Sequence, residues 1–230
     1  MNAEYLKSKN GFTLLEILVA IALFAAITAM LYPTYIGTLR NMDITESYGS
    51  IYRMARIATE RISGDLQCAA VPDEEADSGS LKSQVFSGKD STINGKDADE
   101  LEFLSEKHIS FDSGVNGGRG LIRYYVKEYE DQEGFILYRS DTPELGTMVT
   151  DDAAGLILCE GLSSINISYQ DENGDTYDYW DSSSEQFKNK LPSMVSFELV
   201  FVNRSDPESP IKFTTSVSIP ISRRAYGSNS

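Results

Sequence analysis

From Ile17 to Ile36 the chain runs for twenty residues without a charged side chain. A helix rises about 1.5 Å per residue, so this run reaches roughly 30 Å, the thickness of a bilayer's hydrocarbon core. It is a candidate membrane-spanning helix. The remaining chain is polar enough to make the overall mean hydropathy negative. Lys7 and Lys9 precede the run with Glu4 as the sole nearby acid, whereas Arg40 follows it and is itself soon followed by Asp43 and Glu46. The positive-inside tendency leaves the short leader in the cytoplasm and sends the rest outward.

Two residues at the start of this segment need an explanation. Glu16 places a carboxylate at its edge, and Gly11 stands just ahead of it in "GFTLLE". A secretory signal peptide would be cut after the small residues of "FAAITAM", but the apolar run is longer than the usual signal core and Glu16 fits it poorly. A plain signal anchor leaves Glu16 as an uncompensated cost, about 2.5–3.5 kcal/mol at a helix centre and less near an interface. A third reading makes Gly11-Phe12 a cleavage junction in front of the apolar segment.

The basic leader ending in Gly11, Phe12 opening the run and Glu16 four residues later resemble the class III leader of type IV pilins and type II secretion pseudopilins. That resemblance implies a prepilin peptidase that cuts after Gly11 and N-methylates Phe12. It also implies that Glu16 pairs with the Phe12 amine of a neighbouring subunit, each charge neutralising the other between helices. Pro33, which removes one helical hydrogen bond, falls where such helices commonly kink or loosen. The boundaries this suggests are a leader over 1–11, a transmembrane and assembly helix over 12–39, and the soluble half of the helix over 40–71. A periplasmic, mainly β domain follows over 72–230.

Beyond the membrane segment, Ile44, Tyr48, Ile51, Ala55, Ala58, Ile62, Leu66 and Ala69 recur at spacings of three and four. They make one helical face, predicted to pack on the protein's own domain. Pro72 and the acidic "PDEEAD" end the pattern, and residues 72–98 read as a polar connection with at most short structure. The period then changes to two. "LEFL" and "HISF" are short strand candidates, while "GLIRYYVKEYE" and "GFILYRSD" predict a hairpin. Asn173-Gly174 marks a second turn, and "MVSFELVFVN" with "IKFTTSVSIP" a further strand pair. The fold class is α+β: a long N-terminal helix against a mainly antiparallel sheet.

The helix closing on Asp65-Leu66, then Trp180 and Leu191-Pro192 leading into a strand, look like the J-type minor pseudopilin of type II secretion. This implies an inner-membrane protein with its domain in the periplasm, joined at a pseudopilus tip by I- and K-type minor pseudopilins and the major pseudopilin. The rivals are a minor pilin of a type IV pilus and a membrane-anchored periplasmic binding module.

Catalytic, metal and cofactor chemistry find little support. His108 is the single histidine, and no G-x-S-x-G elbow accompanies it. "DENGD" opens like a calcium loop, but Thr176 and Ser182 stand where Gly and Glu are needed. "GVNGGRG" lacks the Lys-Ser/Thr of a phosphate loop. A net charge of −15 without a Lys/Arg cluster disfavours nucleic acid. Cys68 and Cys159 are candidates for one disulfide if the domain is exported, provided that the fold brings them together.

Overall fold

The computed structural model describes residues 11–70, 86–106, 120–130, 133–143, 155–203 and 206–220. The leader residues 1–10, the "HISF" candidate with His108, and most of "GVNGGRG" lie outside them. The chain divides into two units, Met1–Gly49 and Ser50–Ser230. A single helix, α1 (Leu14–Leu66), crosses the boundary.

In the first unit every residue from Gly11 to Asp43 is exposed. The helix continues through Pro33. Hydroxyls that would otherwise sit bare in an apolar surface are satisfied locally: Thr28, Thr38 and Thr45 donate to the carbonyls of Phe24, Thr34 and Asn41 at 2.8–2.9 Å. Such back-bonding is the usual answer for a helical threonine without other partners.

In the second unit the predicted stripe is the buried one: Ile51, Ala55, Ala58, Ile62 and Leu66 enter the core. The two alanines let the helix backbone approach the sheet closely. The helix was expected from Phe12 to Ala69, but it starts at Leu14 and stops at Leu66. The early stop has a physical cause, because the next residues are drawn onto a strand edge. The Cys68 carbonyl accepts from Glu106, and the Ala70 amide donates to Leu104.

The strands are β1 (Phe86–Lys89), β2 (Thr92–Ile93), β3 (Lys96–Asp97), β4 (Glu100–Ser105), β5 (Gly120–Glu128), β6 (Phe135–Pro143), β7 (Leu156–Gln170), β8 (Thr176–Tyr177), β9 (Trp180–Asp181), β10 (Met194–Phe201) and β11 (Ile211–Ser218). Nine of them form one sheet in the order β11-β10-β7-β6-β5-β4-β1-β9, with β8 added on β7. Every strand pair is antiparallel. The predicted hairpins all form. β5 and β6 pair from Gly120↔Pro143 to Glu128↔Phe135, and β10 and β11 pair without a break from Met194↔Ser218 to Phe201↔Ile211. Along β5, Gly120, Ile122, Tyr124 and Val126 are buried and their neighbours are not, which is the two-residue period of a sheet with one covered face.

Two expectations are corrected. The connection over 72–98 holds more structure than its composition suggested, since β1 joins the sheet and buries Phe86 against Phe103. β2 and β3 form a hairpin around Asn94 and Gly95, whose φ values of 52° and 75° fit a type I′ turn. The second correction concerns the disulfide: Cys68 and Cys159 are both free. The registers explain why. Cys68 borders the row Ser105–Gly120–Pro143, whereas Cys159 pairs with Leu137. Leu137 and Pro143 are six residues apart along β6, or about 20 Å, against the roughly 7 Å that a bridge tolerates. Burial pushes the Cys159 thiol up to about 12, so it stays a neutral core group.

Candidate functional site

The segment Gly11–Glu16 begins the exposed helix. Thr13 caps it: its hydroxyl accepts from the Glu16 amide at 3.3 Å, and its carbonyl accepts from Glu16 and Ile17 at 3.1 and 3.3 Å. "TLLE" thus carries the Ser/Thr-x-x-Glu pattern of a helix N-terminus. Glu16 stands in the first turn, where its carboxylate faces the positive end of the helix dipole. The cap gives Thr13 and Glu16 a local role that the sequence reading missed, although the spacing signalled it.

Gly11 has no such local role. A Cβ placed there would meet nothing within 4 Å, and its φ lies outside the left-handed range. Phe12 is 81% exposed, and Leu14, Leu15, Leu18, Phe24 and Met30 are similarly bare. This helix is long and apolar enough to cross a membrane. An apolar surface all round a helix is a solution for lipid or for a bundle of similar helices, not for water.

The remaining features with chemical potential are used for packing. Asp65, 2% exposed, takes Tyr124 Oη at 2.7 Å and Arg139 Nε at 2.6 Å on one carboxylate oxygen, with Arg61 Nε at 3.3 Å. The second nitrogen of Arg139 reaches Asp141 at 3.1 Å. Burial and the adjoining Asp65 charge raise the Tyr124 phenol well above its ordinary value. Burial alone would lower Arg139, but the hydrogen bond and charge of Asp65 hold it above its usual range. Together these groups fasten the end of α1 to β5 and β6. Sequence reading singled out Asp65 without finding its partners, which come from strands 59 and 74 residues away.

Trp180 is buried, stacked on Phe187 at 4.1 Å, and its indole N–H donates to the Lys190 carbonyl at 3.0 Å. It pins the loop that runs to Leu191-Pro192. The calcium-like "DENGD" is a closed turn: Asp171 Oδ1 accepts from the amides of Asn173 and Asp175. Although partial desolvation opposes it, these backbone donors hold the Asp171 carboxyl below its ordinary value. Among the described residues no group of three His, Cys, Asp or Glu side chains is placed to hold a metal.

Residues 6–32 match the family described as "Prokaryotic N-terminal methylation motif". The whole chain is similar to a pilin-like protein, PilA3, of Thermus thermophilus: 24% identity over 224 residues, covering 95% of this chain and 92% of that one. The motif, the exposed apolar helix and the pilin-like relative together support a structural role of the type IV pilin or pseudopilin type.

Proposed function

We propose that this chain is a minor pseudopilin of a type II secretion system, assembled at the tip of a pseudopilus and helping to initiate it. One observation carries the assembly reading: a lone carboxylate, Glu16, in the first turn of an exposed apolar helix, just after a glycine the fold does not require. Hydrolysis of the Gly11–Phe12 peptide bond leaves a carboxylate on Gly11 and a new amine on Phe12, which is then methylated. The Glu16 carboxylate of one subunit meets the Phe12 ammonium of the next inside the helix bundle. Each group would be costly in lipid alone, and the pair removes most of that cost.

The mechanism is non-covalent thereafter, and we read the protein as a structural component rather than an enzyme. Its partners are other pilin-like subunits, the I and K types in the secretion reading, with the domain on the periplasmic side of the inner membrane. The secretion assignment rests on the Asp65-Leu66, Trp180 and Leu191-Pro192 resemblance. The name of the relative favours a second reading, a minor pilin of a type IV pilus assembled by the same physics.

Coexpression with a prepilin peptidase tests the common part. Intact mass should show loss of Met1–Gly11 and one added methyl group. A product beginning near Met30 would mark an ordinary signal peptide and refute the pilin-type reading. Co-purification of I- and K-type pseudopilins with the full chain would support the secretion assignment, and recovery of pilus subunits alone would replace it with the second.

A further inference from the structure

The exposed helix of the first unit carries more apolar length than a bilayer needs. From Phe12 to Leu39 the chain would rise about 40 Å, against roughly 30 Å of hydrocarbon. Spanning with all of it would require a tilt of about 40°, the far end of the range such helices adopt. Something must decide which part stays in lipid, and hydroxyl chemistry separates the candidates. Thr28 can lie in hydrocarbon because its hydroxyl already donates to the Phe24 carbonyl at 2.8 Å. A tyrosine hydroxyl stands at the end of a rigid ring and cannot fold back on its own helix. Tyr32 and Tyr35 are 63% and 62% exposed, and no described residue gives either hydroxyl a partner. Pro33 lies between them and withholds a donor from the Ala29 carbonyl, a further polar group that water or a headgroup can satisfy. From the Thr13 cap to Tyr32 the chain rises about 28 Å, close to the hydrocarbon thickness.

A tyrosine at a membrane–water boundary buries its ring among acyl chains and leaves its hydroxyl among headgroups. We propose that Tyr32 and Tyr35 bind the headgroup layer of a phospholipid bilayer and set the depth of the helix, with Thr13 at the opposite layer. Glu16 then lies one turn inside that opposite layer, about 5 Å deep, and Leu39 and Arg40 stand outside the hydrocarbon. The proposal rests on the membrane-spanning helix of the assembly reading and goes beyond it by naming the side chains that hold this helix at its depth. Charge alone does not choose the boundary. Arg40, the first charge past the run, stands more than a turn beyond Tyr35 and would admit every apolar residue up to Leu39.

The test uses the full chain in phosphatidylcholine–phosphatidylglycerol vesicles, with quenching bromines placed either high on the acyl chain or near its end. Trp180, buried in the second unit, gives a background that the bromines do not reach, so each variant is compared with the native chain. Tyr32→Trp and Tyr35→Trp keep an interface-seeking ring, and their added emission should be quenched about twofold more by the high bromines. Phe24→Trp, midway between Thr13 and Tyr35, should show the reverse preference, and Leu39→Trp should be quenched by neither. Adding Tyr32→Leu and Tyr35→Leu to Leu39→Trp should admit that position to the bilayer and quench its emission by about half. Quenching at Leu39→Trp with both tyrosines present would overturn the proposal. So would stronger quenching of Tyr35→Trp by the deep bromines, its quenching by neither set, or no change in the leucine variant. A chain whose Phe24→Trp emission neither set quenches does not span the bilayer and fails the assembly reading as well. Deep quenching there with Leu39→Trp already quenched fails the anchoring alone.

Discussion

The two halves of α1 face the same physical problem and solve it differently. Both are rich in apolar residues, yet none from Phe12 to Met42 is covered, whereas Ile51, Ala55, Ala58, Ile62 and Leu66 all are. Burying a large aliphatic side chain is worth about 1.5–3 kcal/mol, so the first half carries a large unrealised stabilisation. The second half realises its share within the chain, by small residues and a buried ion pair. The first half must realise its share against something outside: lipid, or other helices. On the assembly reading proposed above, its one carboxylate decides with whom. Fold and assembly should therefore respond to separate mutations.

The largest effect is expected at Glu16. Glu16→Ala should nearly abolish incorporation into the assembly, measured by sedimentation of sheared filaments or by co-purification with partner subunits. The domain should stay folded. Trp180 is the sole tryptophan and is buried in the second unit, so its fluorescence in detergent-solubilised full chain reports on that unit. Loss of Trp180 burial in Glu16→Ala would break the separation of the two halves, and unchanged incorporation would contradict the pairing.

Asp65 is the converse. Asp65→Ala leaves Arg139 buried without its main partner and Tyr124 without its acceptor. Removing one member of a buried ion pair costs about 3–5 kcal/mol. Urea unfolding followed at Trp180 should show that loss with the slope unchanged, and leader removal should proceed as before. Tyr124→Phe, which deletes a single hydrogen bond, should cost about 1 kcal/mol.

How much of this was legible in the sequence follows the same division. Gly11, Phe12 and Glu16 were singled out by spacing alone, and they fall within the motif matched over residues 6–32. The β5–β6 and β10–β11 hairpins were likewise written in a two-residue period. What stayed hidden depends on distant parts of the chain meeting. The Asp65–Tyr124–Arg139 cluster, the burial of Phe86, and the separation of Cys68 from Cys159 all follow from sheet order, which no short window contains. The β2–β3 hairpin is different. Its Asn94-Gly95 turn was a readable signal, outweighed by the polar composition around it.

Asp99 offers a finer probe of the second unit. It is almost fully buried and joins the start of β4 to β7, its carboxylate accepting from the amides of Ser91 at 3.1 Å and Ile167 at 2.6 Å. Burial, opposed by these two donors and aided by nearby Asp90 and Asp97, pushes its carboxyl from 3.8 up to about 6. Between those values the folded chain binds more protons than the unfolded one, so this group's contribution favours folding below about pH 4 and is lost as pH rises through 6. Comparing the unfolding free energies of the native chain and Asp99→Asn in urea should show the native chain losing about 3 kcal/mol relative to the variant across that window. A constant difference would mean that Asp99 does not titrate there.

The smallest expected change tests how tightly the sheet core is specified. Tyr169 is buried between Phe86 and Trp180, and its hydroxyl has no hydrogen-bond partner among the described residues. It lies where a Cβ on Gly88 would stand, 1.9 Å from the hydroxyl oxygen. Gly88 is thus required by the tyrosine, not by backbone conformation. An unpartnered buried hydroxyl costs stability, so Tyr169→Phe should leave the domain unchanged or stabilise it by about 1 kcal/mol. Tyr169→Ala, which removes the whole ring, should reduce the damage done by Gly88→Ala, because the ring atoms Cζ and Cε2 as well as Oη would clash with that Cβ. In a double-mutant cycle the pair should be less destabilised than the sum of the single changes. Additive effects would show that the glycine serves the backbone of β1 instead, and that the core at this end of the sheet adapts more readily than the end fixed by Asp65.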